Sequence, residues 1–497
     1  MKNRYSVYIL FALLIAAVLT ACSGDRGPKP DDFTYEELEF NIPKADEFRT
    51  VLSNGLVVYI AEDHEIPWFS ASLMVRTGPF LEPANKLGIA SMTQSIMRSG
   101  GTTSKTEEQI NERMDFLAGS VSATSLSIHM KHLDEGMSIW MDILRNPRFP
   151  DDKIRQARER AITSIRNRNK NVSSVGSRTF SDLVYGEDSP ITAQQTERMV
   201  NGIVRNDLVN WHRKYWGANN AILVVSGDFQ KDEMLQKLED TFGKWRDADK
   251  AVPNIPDVRQ AAEAGVYMVE PEVIPNQGVI RIGHLGLMQD DPDYPAVDLM
   301  NYILGGGSFS SRIMRVVRSD HGLAYSTGAR FSGGTLYPGT FTASCQTKNS
   351  TVVFAAQLML NEIEKIRDEP ISEEDLEFAK TARINAFPSQ FSSISGILRN
   401  FANLEFNGRD KDYYDTYIEK YNSVTIEDIS RVAKEYLQPE NMIIMISGNI
   451  EECSAGANEL LPNQPSINAM AEKYGGRTIE GLAKMFGDGT VHIVPLK

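Results

Sequence analysis

Residues 221–229 read AILVVSGDF and residues 442–450 read MIIMISGNI, and this repeated stretch decides the fold. In both places an apolar run of five residues leads into Ser-Gly, and the two glycines, Gly227 and Gly448, lie 221 residues apart. A short, uninterrupted apolar run that ends at glycine is typical of a strand buried on both faces. The sequence therefore predicts the same buried strand twice, once in each half of the chain.

A second pair of stretches repeats independently at nearly the same distance. Residues 150–157, PDDKIRQA, match residues 371–379, ISEEDLEFA, with an offset of 222 from Ile154 to Leu376. Two matches at one offset indicate tandem copies of a single fold, and each copy mixes strands with helices. We therefore expect an α+β protein made of two homologous α/β-sandwich domains, each a sheet with packed helices.

The expected domain boundaries follow from this repeat and from local composition. Residues 247–263 contain two prolines and many charged side chains, which is typical of a linker. The N-terminal domain is expected at residues 46–246 and the C-terminal domain at residues 264–452. Residues 453–497 form a C-terminal extension to which the sequence assigns no role.

Local signals predict several elements of the first copy. Asn54-Gly55 between two apolar runs predicts a β-hairpin, because both residues tolerate a positive φ. Thr106, with Gln109 three residues later, predicts the start of a helix by a capping box. A strand is expected at residues 121–130 and a long helix at residues 151–168.

The N-terminus has the pattern of a secretory signal. Residues 1–21 begin with Lys2 and Arg4 and continue with an apolar run that is too short to span a bilayer as a stable anchor. Leu-Thr-Ala-Cys at residues 19–22 resembles the lipobox of bacterial lipoproteins, which predicts a lipid on Cys22 that holds the protein at a membrane surface. An ordinary signal peptide with an incidental cysteine is the alternative.

The residue after the lipidated cysteine predicts a location. Ser23, with no aspartate in its place, resembles the pattern of lipoproteins that are sent to the outer membrane of Gram-negative bacteria. We therefore expect a protein anchored in the cell envelope, facing the periplasm, on a tether of residues 22–45.

Composition limits the partners of this chain. The formal net charge is −14, and it moves to about −16 once the signal is removed, which argues against nucleic acid and suits basic peptides. The three cysteines are too few for a disulfide framework. Cys345 is predicted to be a buried strand residue, and whether it pairs with Cys453 stays open.

The stretch 88–101, GIASMTQSIMRSGG, is predicted to be an amphipathic helix with an apolar stripe of Ile89, Met92 and Ile96. Its opposite face is polar and carries Ser91, Gln94, Ser95 and Arg98. A zinc hydrolase with the spacing H-x-x-E-H places two imidazoles and a carboxylate at these same offsets. Serine hydroxyls are poor zinc ligands and an amide takes no proton from water, so this face has the spacing of a metal site without its chemistry.

Further motifs, in order along the chain, complete a family pattern. They are Asn54-Gly55-Leu56, Leu87-Gly88-Ile89-Ala90, Tyr302-Ile303-Leu304-Gly305-Gly306-Gly307, Ser310-Ser311-Arg312 and Gly322-Leu323-Ala324-Tyr325-Ser326. With them, residues 46–452 resemble the pitrilysin/insulinase family of zinc peptidases, in the short-chain branch that includes the mitochondrial processing peptidase. The resemblance implies a metallohydrolase-like fold that forms one half of a clamshell around a peptide.

The resemblance also implies that the zinc site of this chain is degenerate. The inverted zinc motif falls on Ser91, Gln94 and Ser95, and the glutamate that completes the ligand set falls on Ser164. Without ligands there is no Lewis acid, and without a carboxylate nothing activates the water. We therefore expect no metal, no cofactor and no catalytic residue in this chain alone.

The second copy keeps other residues of the family site. Active members use an arginine and a tyrosine, seven residues apart, to hold the substrate backbone and the carbonyl under attack, and Arg318 and Tyr325 match this spacing. The alternative is a solvated helix residue and a core strand residue. Gly305, Gly306 and Gly307 lack the Gly-Lys-Ser/Thr of a phosphate loop, so we expect a flexible turn that touches substrate, as in the processing peptidase.

The histidines are weaker candidates for a metal or functional site. His129 and His132 give the spacing H-x-x-H with Asp134 nearby, but strand geometry points the two rings to opposite faces, so we do not expect a metal site there. His64 and His284 are interpreted as structural.

The leading hypothesis is a lipid-anchored, non-catalytic subunit of a zinc metallopeptidase. It pairs with a homologous chain that bears H-x-x-E-H and holds the zinc, encloses peptides, and contributes Arg318 and Tyr325 to the partner's site. The alternative is a peptide-binding or scaffold lipoprotein without any peptidase role. A third hypothesis, a peptidase that uses different residues of its own, requires zinc in the isolated chain.

Overall fold

A computed structural model describes residues 40–249, 255, 257–456 and 465–497. The predicted signal peptide, Cys22 and most of the tether lie outside the described residues. Within the part of the chain that is described, no helix is both long enough and apolar enough to cross a membrane.

Twelve strands of the described residues form two six-stranded sheets. The first sheet has the order β1-β2-β6-β3-β5-β4 and the second the order β12-β7-β11-β8-β10-β9. The strands are β1 Arg49–Val51, β2 Val57–Glu62, β3 Trp68–Val75, β4 Ser120–Val121, β5 Ser125–His129, β6 Ala221–Gly227, β7 Gly265–Val269, β8 Gln277–Leu285, β9 Thr327–Phe331, β10 Thr340–Lys348, β11 Ile443–Ser447 and β12 Val491–Ile493.

Helices pack on both sheets, and two short π-helices, Tyr302–Gly306 and Arg315–Asp320, interrupt the second half. The α-helices are α1 Ala45–Phe48, α2 Ile89–Ser99, α3 Glu107–Phe116, α4 Leu133–Arg145, α5 Asp151–Asn167, α6 Val172–Tyr185, α7 Glu197–Asn201, α8 Arg205–Tyr215, α9 Lys231–Phe242, α10 Tyr294–Asn301, α11 Arg312–Met314, α12 Val352–Asp368, α13 Glu373–Ala386, α14 Ile394–Phe406, α15 Tyr417–Asn422, α16 Ile426–Tyr436, α17 Ile450–Ala455, α18 Pro465–Lys473 and α19 Ile479–Met485.

The two sheets share one topology, which confirms the predicted α+β fold with two copies of a single unit. The repeated apolar stretches form β6 and β11, and every residue of both strands is buried. Each of them pairs in parallel with the first long strand of its half and antiparallel with the second. The edge strands differ, because β1 belongs to a hairpin whereas β12 comes from the C-terminal extension and runs parallel to β7.

Most local predictions hold in the structure. Gly55 turns the β1–β2 hairpin with a φ of +79°. Thr106 and Gln109 form the reciprocal capping box of α3. The strand expected at residues 121–130 is instead the short hairpin β4–β5, because Ser122 and Ser125 bond to each other and close a turn.

One helix of each half packs on the sheet of the other half. Helix α6 packs on the second sheet, where Val175, Phe180 and Val184 share an apolar cluster with Ile443 and Met445. Helix α14 lies across β2 and β6 of the first sheet.

A carboxylate of helix α14 also accepts hydrogen bonds from residues of the first half. The Glu405 carboxylate accepts two hydrogen bonds from Arg49, both at 2.8 Å, and a third from the Tyr59 hydroxyl at 2.7 Å. Arg49 and Tyr59 belong to the first sheet, so the carboxylate joins elements that are far apart in sequence. The two halves are therefore interlocked and do not merely touch.

Both cysteines of the described region are free thiols. Cys345 is buried in β10, as expected, and Cys453 is buried in α17. Burial raises the pKa of each thiol to about 12, so neither is poised to react as a thiolate.

Candidate functional site

Helix α2 forms where the sequence predicts it. Gly88 precedes it with a φ of +92°, and Ile89, Met92 and Ile96 are buried. The Glu82 carboxylate accepts hydrogen bonds from the backbone N–H groups of Gly88 at 2.7 Å and Ala90 at 2.8 Å. A carboxylate at this end satisfies unpaired backbone donors and suits the helix dipole, so Glu82 fixes the start of the helix.

The degenerate zinc positions lie on the exposed faces of two neighbouring helices. On α2 they are Ser91, Gln94 and Ser95, and on α5 the position is Ser164. Ser91 and Ser95 line a cleft of about 240 Å³ together with Arg160 of α5. A guanidinium beside the serines repels a cation, and across the described residues no group of three or more His, Cys, Asp or Glu side chains could hold a metal.

The H-x-x-H pair has other roles in the structure. His129 ends β5 and its Nδ1 accepts the backbone N–H of Lys131 at 3.1 Å. The rings of His129 and His132 are 6.3 Å apart, and Asp134 forms an ion pair with Lys237. The carboxylate that a metal would need is therefore already neutralised.

The two remaining candidates among the histidines also have structural partners. His64 lies between Asp228 at 2.7 Å and Glu62 at 3.1 Å, and these hydrogen bonds raise its pKa. His284 is buried against the rings of Phe331 and Phe341. Both agree with the interpretation made from the sequence.

The structure places Arg318 and Tyr325 next to each other. Arg318 belongs to the second π-helix, and its guanidinium carbon lies 4.9 Å from the centre of the Tyr325 ring. The same guanidinium carbon lies 4.6 Å from the centre of the Phe309 ring. Tyr325 precedes β9 and is 85 % exposed, so it is not a core strand residue, and Phe309 is 68 % exposed.

Phe309 was missed by the sequence reasoning. The sequence feature that could have indicated it is an aromatic residue in the glycine- and serine-rich stretch GGGSFSS, residues 305–311. No apolar stripe surrounds this phenylalanine, so the pattern favours an exposed ring. A cation in contact with two exposed aromatic rings combines charge with apolar surface, as surfaces that contact a substrate or a partner chain do.

The glycine run is a helical segment rather than the flexible turn that the sequence predicts. Gly305 and Gly306 end the first π-helix, and Gly307 follows it. A Cβ on Gly305 would collide with the backbone nitrogen of Ala329, and one on Gly328 would lie 2.6 Å from the Gly305 oxygen. Glycine is therefore required here because this helix and β9 approach backbone to backbone.

A cavity of about 990 Å³ opens beside this contact in the second half. Gly305, Gly306 and Ser326, the residue after Tyr325, lie on its wall. Strands β8, β9 and β10 form one side, and helices α10 and α13 and the segment from 409 to 421 form another. Its lining residues are scattered from 173 to 421, so no local sequence pattern could have indicated it.

Comparisons with known proteins agree with this architecture. A family model described as Peptidase M16 inactive domain matches residues 202–383. A non-peptidase homolog, YmxG, of Helicobacter pylori is 21 % identical over 413 residues, which cover 79 % of this chain and 91 % of that protein. A probable mitochondrial-processing peptidase subunit beta of Arabidopsis thaliana is 21 % identical over 271 residues, which cover 52 % of this chain and 50 % of that protein.

The fold is also found among solved structures. The peptidase M16 inactive domain from Pseudomonas fluorescens superposes with a TM-score of 0.68 at 21 % identity, covering 80 % of this chain and 97 % of that chain.

Proposed function

Because the chain is a member of the pitrilysin/insulinase (M16) peptidase family that lacks the zinc motif, we propose that it serves as the non-catalytic subunit of a hetero-oligomeric zinc metallopeptidase. It binds peptides and supplies Arg318 and Tyr325 to the active site of a homologous partner that carries H-x-x-E-H. The observation that carries this proposal is the contact of the half-buried Arg318 with the exposed ring of Tyr325, in a chain whose four zinc-site positions are all replaced.

The chemistry assigned to this chain is electrostatic. The Tyr325 hydroxyl and the Arg318 guanidinium are hydrogen-bond donors without a negative charge of their own, which suits the oxyanion that develops on a carbonyl under attack. The contacts of Arg318 with the rings of Tyr325 and Phe309 restrict the guanidinium and the phenol before substrate arrives. The zinc ion, and the base that activates water, belong to the partner.

Pairing is the expected state of such a chain. One relative is by its name a subunit of a larger enzyme, the probable mitochondrial-processing peptidase subunit beta of Arabidopsis thaliana. The exposed rings of Phe309 and Tyr325 are suited to a surface that a second chain covers. We also propose that a lipid on Cys22 holds the complex in the cell envelope, at the outer membrane and facing the periplasm.

The test is cleavage of a mixed peptide library by this chain alone, by a zinc-motif homologue from the same genome alone, and by both together with zinc. Activity in the mixture alone, or strongly raised there, supports the two-chain enzyme. Equal cleavage by the homologue without this chain overturns the pairing and leaves the alternative, a peptide-binding or scaffold lipoprotein. Stoichiometric zinc in the isolated chain would favour a peptidase with residues of its own.

The role of the tyrosine is tested with Tyr325→Phe, which removes the hydroxyl and keeps the ring. We expect kcat of the reconstituted complex to fall about 10²-fold, in the range measured when one oxyanion donor is removed. The matched control is Phe116→Leu, because Phe116 is 73 % exposed and stacks with Arg113 at 4.7 Å in the first half, away from the site. Unchanged activity of Tyr325→Phe would refute its role.

A further inference from the structure

The cavity of the second half has a charge opposite to that of the whole chain. The formal net charge of the protein is −14. The charged side chains that line the cavity are one carboxylate, Asp298, and four guanidiniums, those of Arg281, Arg330, Arg383 and Arg409. Low-dielectric walls of one sign focus the electrostatic field, so this pocket attracts anions although the protein is acidic.

Among the described residues, Arg281 forms no ion pair with a carboxylate. Arg281 lies on β8, and its Nη2 donates to the hydroxyl of Ser177 at 2.6 Å. Ser177 belongs to α6, the helix of the first half that packs on the second sheet. Its Nε is buried without a hydrogen-bond partner among the described residues. Burial lowers the pKa of the Arg281 guanidinium, since no carboxylate is placed to offset the loss of hydration. A buried cation in this condition is stabilised by any anion that enters the cavity.

Two further guanidiniums line the same cavity, and each has one buried nitrogen without a hydrogen-bond partner among the described residues. The Nη2 of Arg383 donates to Asp298 at 2.6 Å, but its Nε has no partner among the described residues. The Nη1 of Arg409 donates to Gln289 at 3.0 Å, and its Nη2 is likewise unpaired. Asp298 also accepts a hydrogen bond from the Tyr421 hydroxyl at 2.9 Å, so the single carboxylate is already shared.

The rest of the lining suits a peptide rather than a bare ion. Tyr413, Tyr414 and Tyr417 present aromatic surface, and the Arg409 guanidinium carbon lies 3.8 Å from the centre of the Tyr413 ring. Asn301 is buried in the wall, and its Oδ1 is an acceptor without a donor among the described residues. A volume of about 990 Å³ accommodates several side chains and backbone amides.

We propose that this cavity binds a carboxylate group of a peptide, held by the guanidiniums of Arg281, Arg383 and Arg409 that line it. The inference rests on the proposed peptide-binding function and adds to it a preference for acidic peptides. Guanidinium groups match the planar carboxylate and can bind it through two parallel hydrogen bonds. The carboxylate comes from a Glu or Asp side chain or from the C-terminus of the peptide.

The experiment measures binding of fluorescent peptides of one sequence to the isolated mature chain. Four versions of the peptide carry either Glu or Gln at a central position, and either a free or an amidated C-terminus. We expect the version with both carboxylates to bind at least about tenfold more tightly than the version with neither, and the two intermediate versions identify the source of the carboxylate.

Variants locate the effect in the cavity. Arg281→Gln is expected to reduce the difference between acidic and neutral peptides to less than about twofold, and Arg281→Lys to retain part of it. The matched control is Arg145→Gln, because burial also lowers the pKa of Arg145, which donates to the Thr241 carbonyl at 2.6 Å in the first half. This control is expected to leave the difference unchanged.

The outcomes separate this inference from the proposed function. Equal binding of acidic and neutral peptides to the unmodified chain overturns the carboxylate preference and leaves peptide binding intact. Absence of binding for every peptide overturns both. Because the comparison of peptides uses the unmodified chain, it decides the question even if Arg281→Gln does not fold.

Discussion

The two halves of the molecule share a strand order and a series of helices, yet their polar sites differ. In the first half, helix α2 meets α5 at a cleft of about 240 Å³ whose lining is mostly apolar and includes two serines and one arginine. In the second half, the corresponding helix α10 continues into a π-helix beside a cavity of about 990 Å³ with four arginines. The two copies have therefore kept one scaffold, while the surfaces beside these corresponding helices differ in size and in charge.

The prediction with the largest expected effect concerns the helices that each half packs on the sheet of the other half. Phe180 of α6 is buried on the second sheet, so Phe180→Ala is expected to lower the free energy of unfolding by about 3–5 kcal/mol. Urea denaturation followed by circular dichroism measures the change. Both halves are expected to unfold in a single transition, because a helix from each completes the core of the other.

The control for that experiment is Phe116→Ala, at an exposed position of α3, which is expected to change stability by less than about 0.5 kcal/mol. Two separate transitions in the unmodified protein would contradict the interlock, since halves that merely touch unfold independently.

The second prediction concerns the pH dependence of stability, because the first copy buries a histidine where the second copy has an alanine. His212 of α8 is buried and donates to the Leu144 carbonyl at 2.8 Å, whereas Ala433, 221 residues later, is its counterpart in α16. Burial lowers the pKa of His212 from 6.5 to about 4. Between these values the unfolded chain binds a proton that the native chain does not, so stability falls as the pH falls, by up to about 3 kcal/mol.

Urea denaturation at about pH 7 and about pH 4.5 measures this slope. His212→Gln, which retains a donor for the Leu144 carbonyl, is expected to remove most of it, and His132→Gln is expected to keep it. A slope that survives in His212→Gln would assign the acid sensitivity to other groups.

A third test concerns the glycine run, which has no counterpart in α2. Gly305→Ala places a methyl group against the backbone of Ala329, so it is expected to cost about 1–3 kcal/mol of stability. Gly306→Ala is the matched control, because its Cβ would lie 2.8 Å from the side-chain nitrogen of Asn301 and no closer than 3.2 Å to any backbone atom. Equal stabilities of the two variants, measured by thermal unfolding, would show that the close contact with β9 is not required.

The prediction with the smallest expected effect concerns the degenerate zinc positions of the first half, which are replaced by the residues of the zinc motif. A variant with Ser91→His, Gln94→Glu, Ser95→His and Ser164→Glu is expected to bind one zinc ion, since the offsets of the zinc motif are retained. Adding Arg160→Ala is expected to strengthen binding about tenfold, because it removes a cation from the cleft. Competition with a chelator measures both, and failure of both variants to bind zinc would mean that α2 and α5 no longer hold the family geometry.

Much of the scaffold could be predicted because its signals are local. The apolar runs of β6 and β11, the stripe of α2 and the capping box of Thr106 are each decided by residues within one turn or strand. The proximity of Arg318 to Tyr325 also follows from a short spacing, once the family pattern is recognised.

The remaining features depend on contacts that are distant in sequence. The apolar face of α6 is visible as a pattern, but nothing in it specifies that Phe180 packs on the second sheet rather than on the first. The close contact of the first π-helix with β9 joins Gly305 to Ala329, 24 residues later. The cavity gathers Arg281, Arg383 and Arg409 from three separate elements, so its charge could be read only from the folded chain.

The exchange of helices has a consequence for how such a protein could have arisen. Helix α6 begins at residue 172 and helix α14 at residue 394, 222 residues later, and each covers the sheet of the opposite copy. A single-copy ancestor with this arrangement would have been a domain-swapped dimer with twofold symmetry, and fusing its two chains end to end produces the present connectivity. Once fused, the two copies no longer had to remain identical, and one could lose its metal site while the other retained a binding cavity.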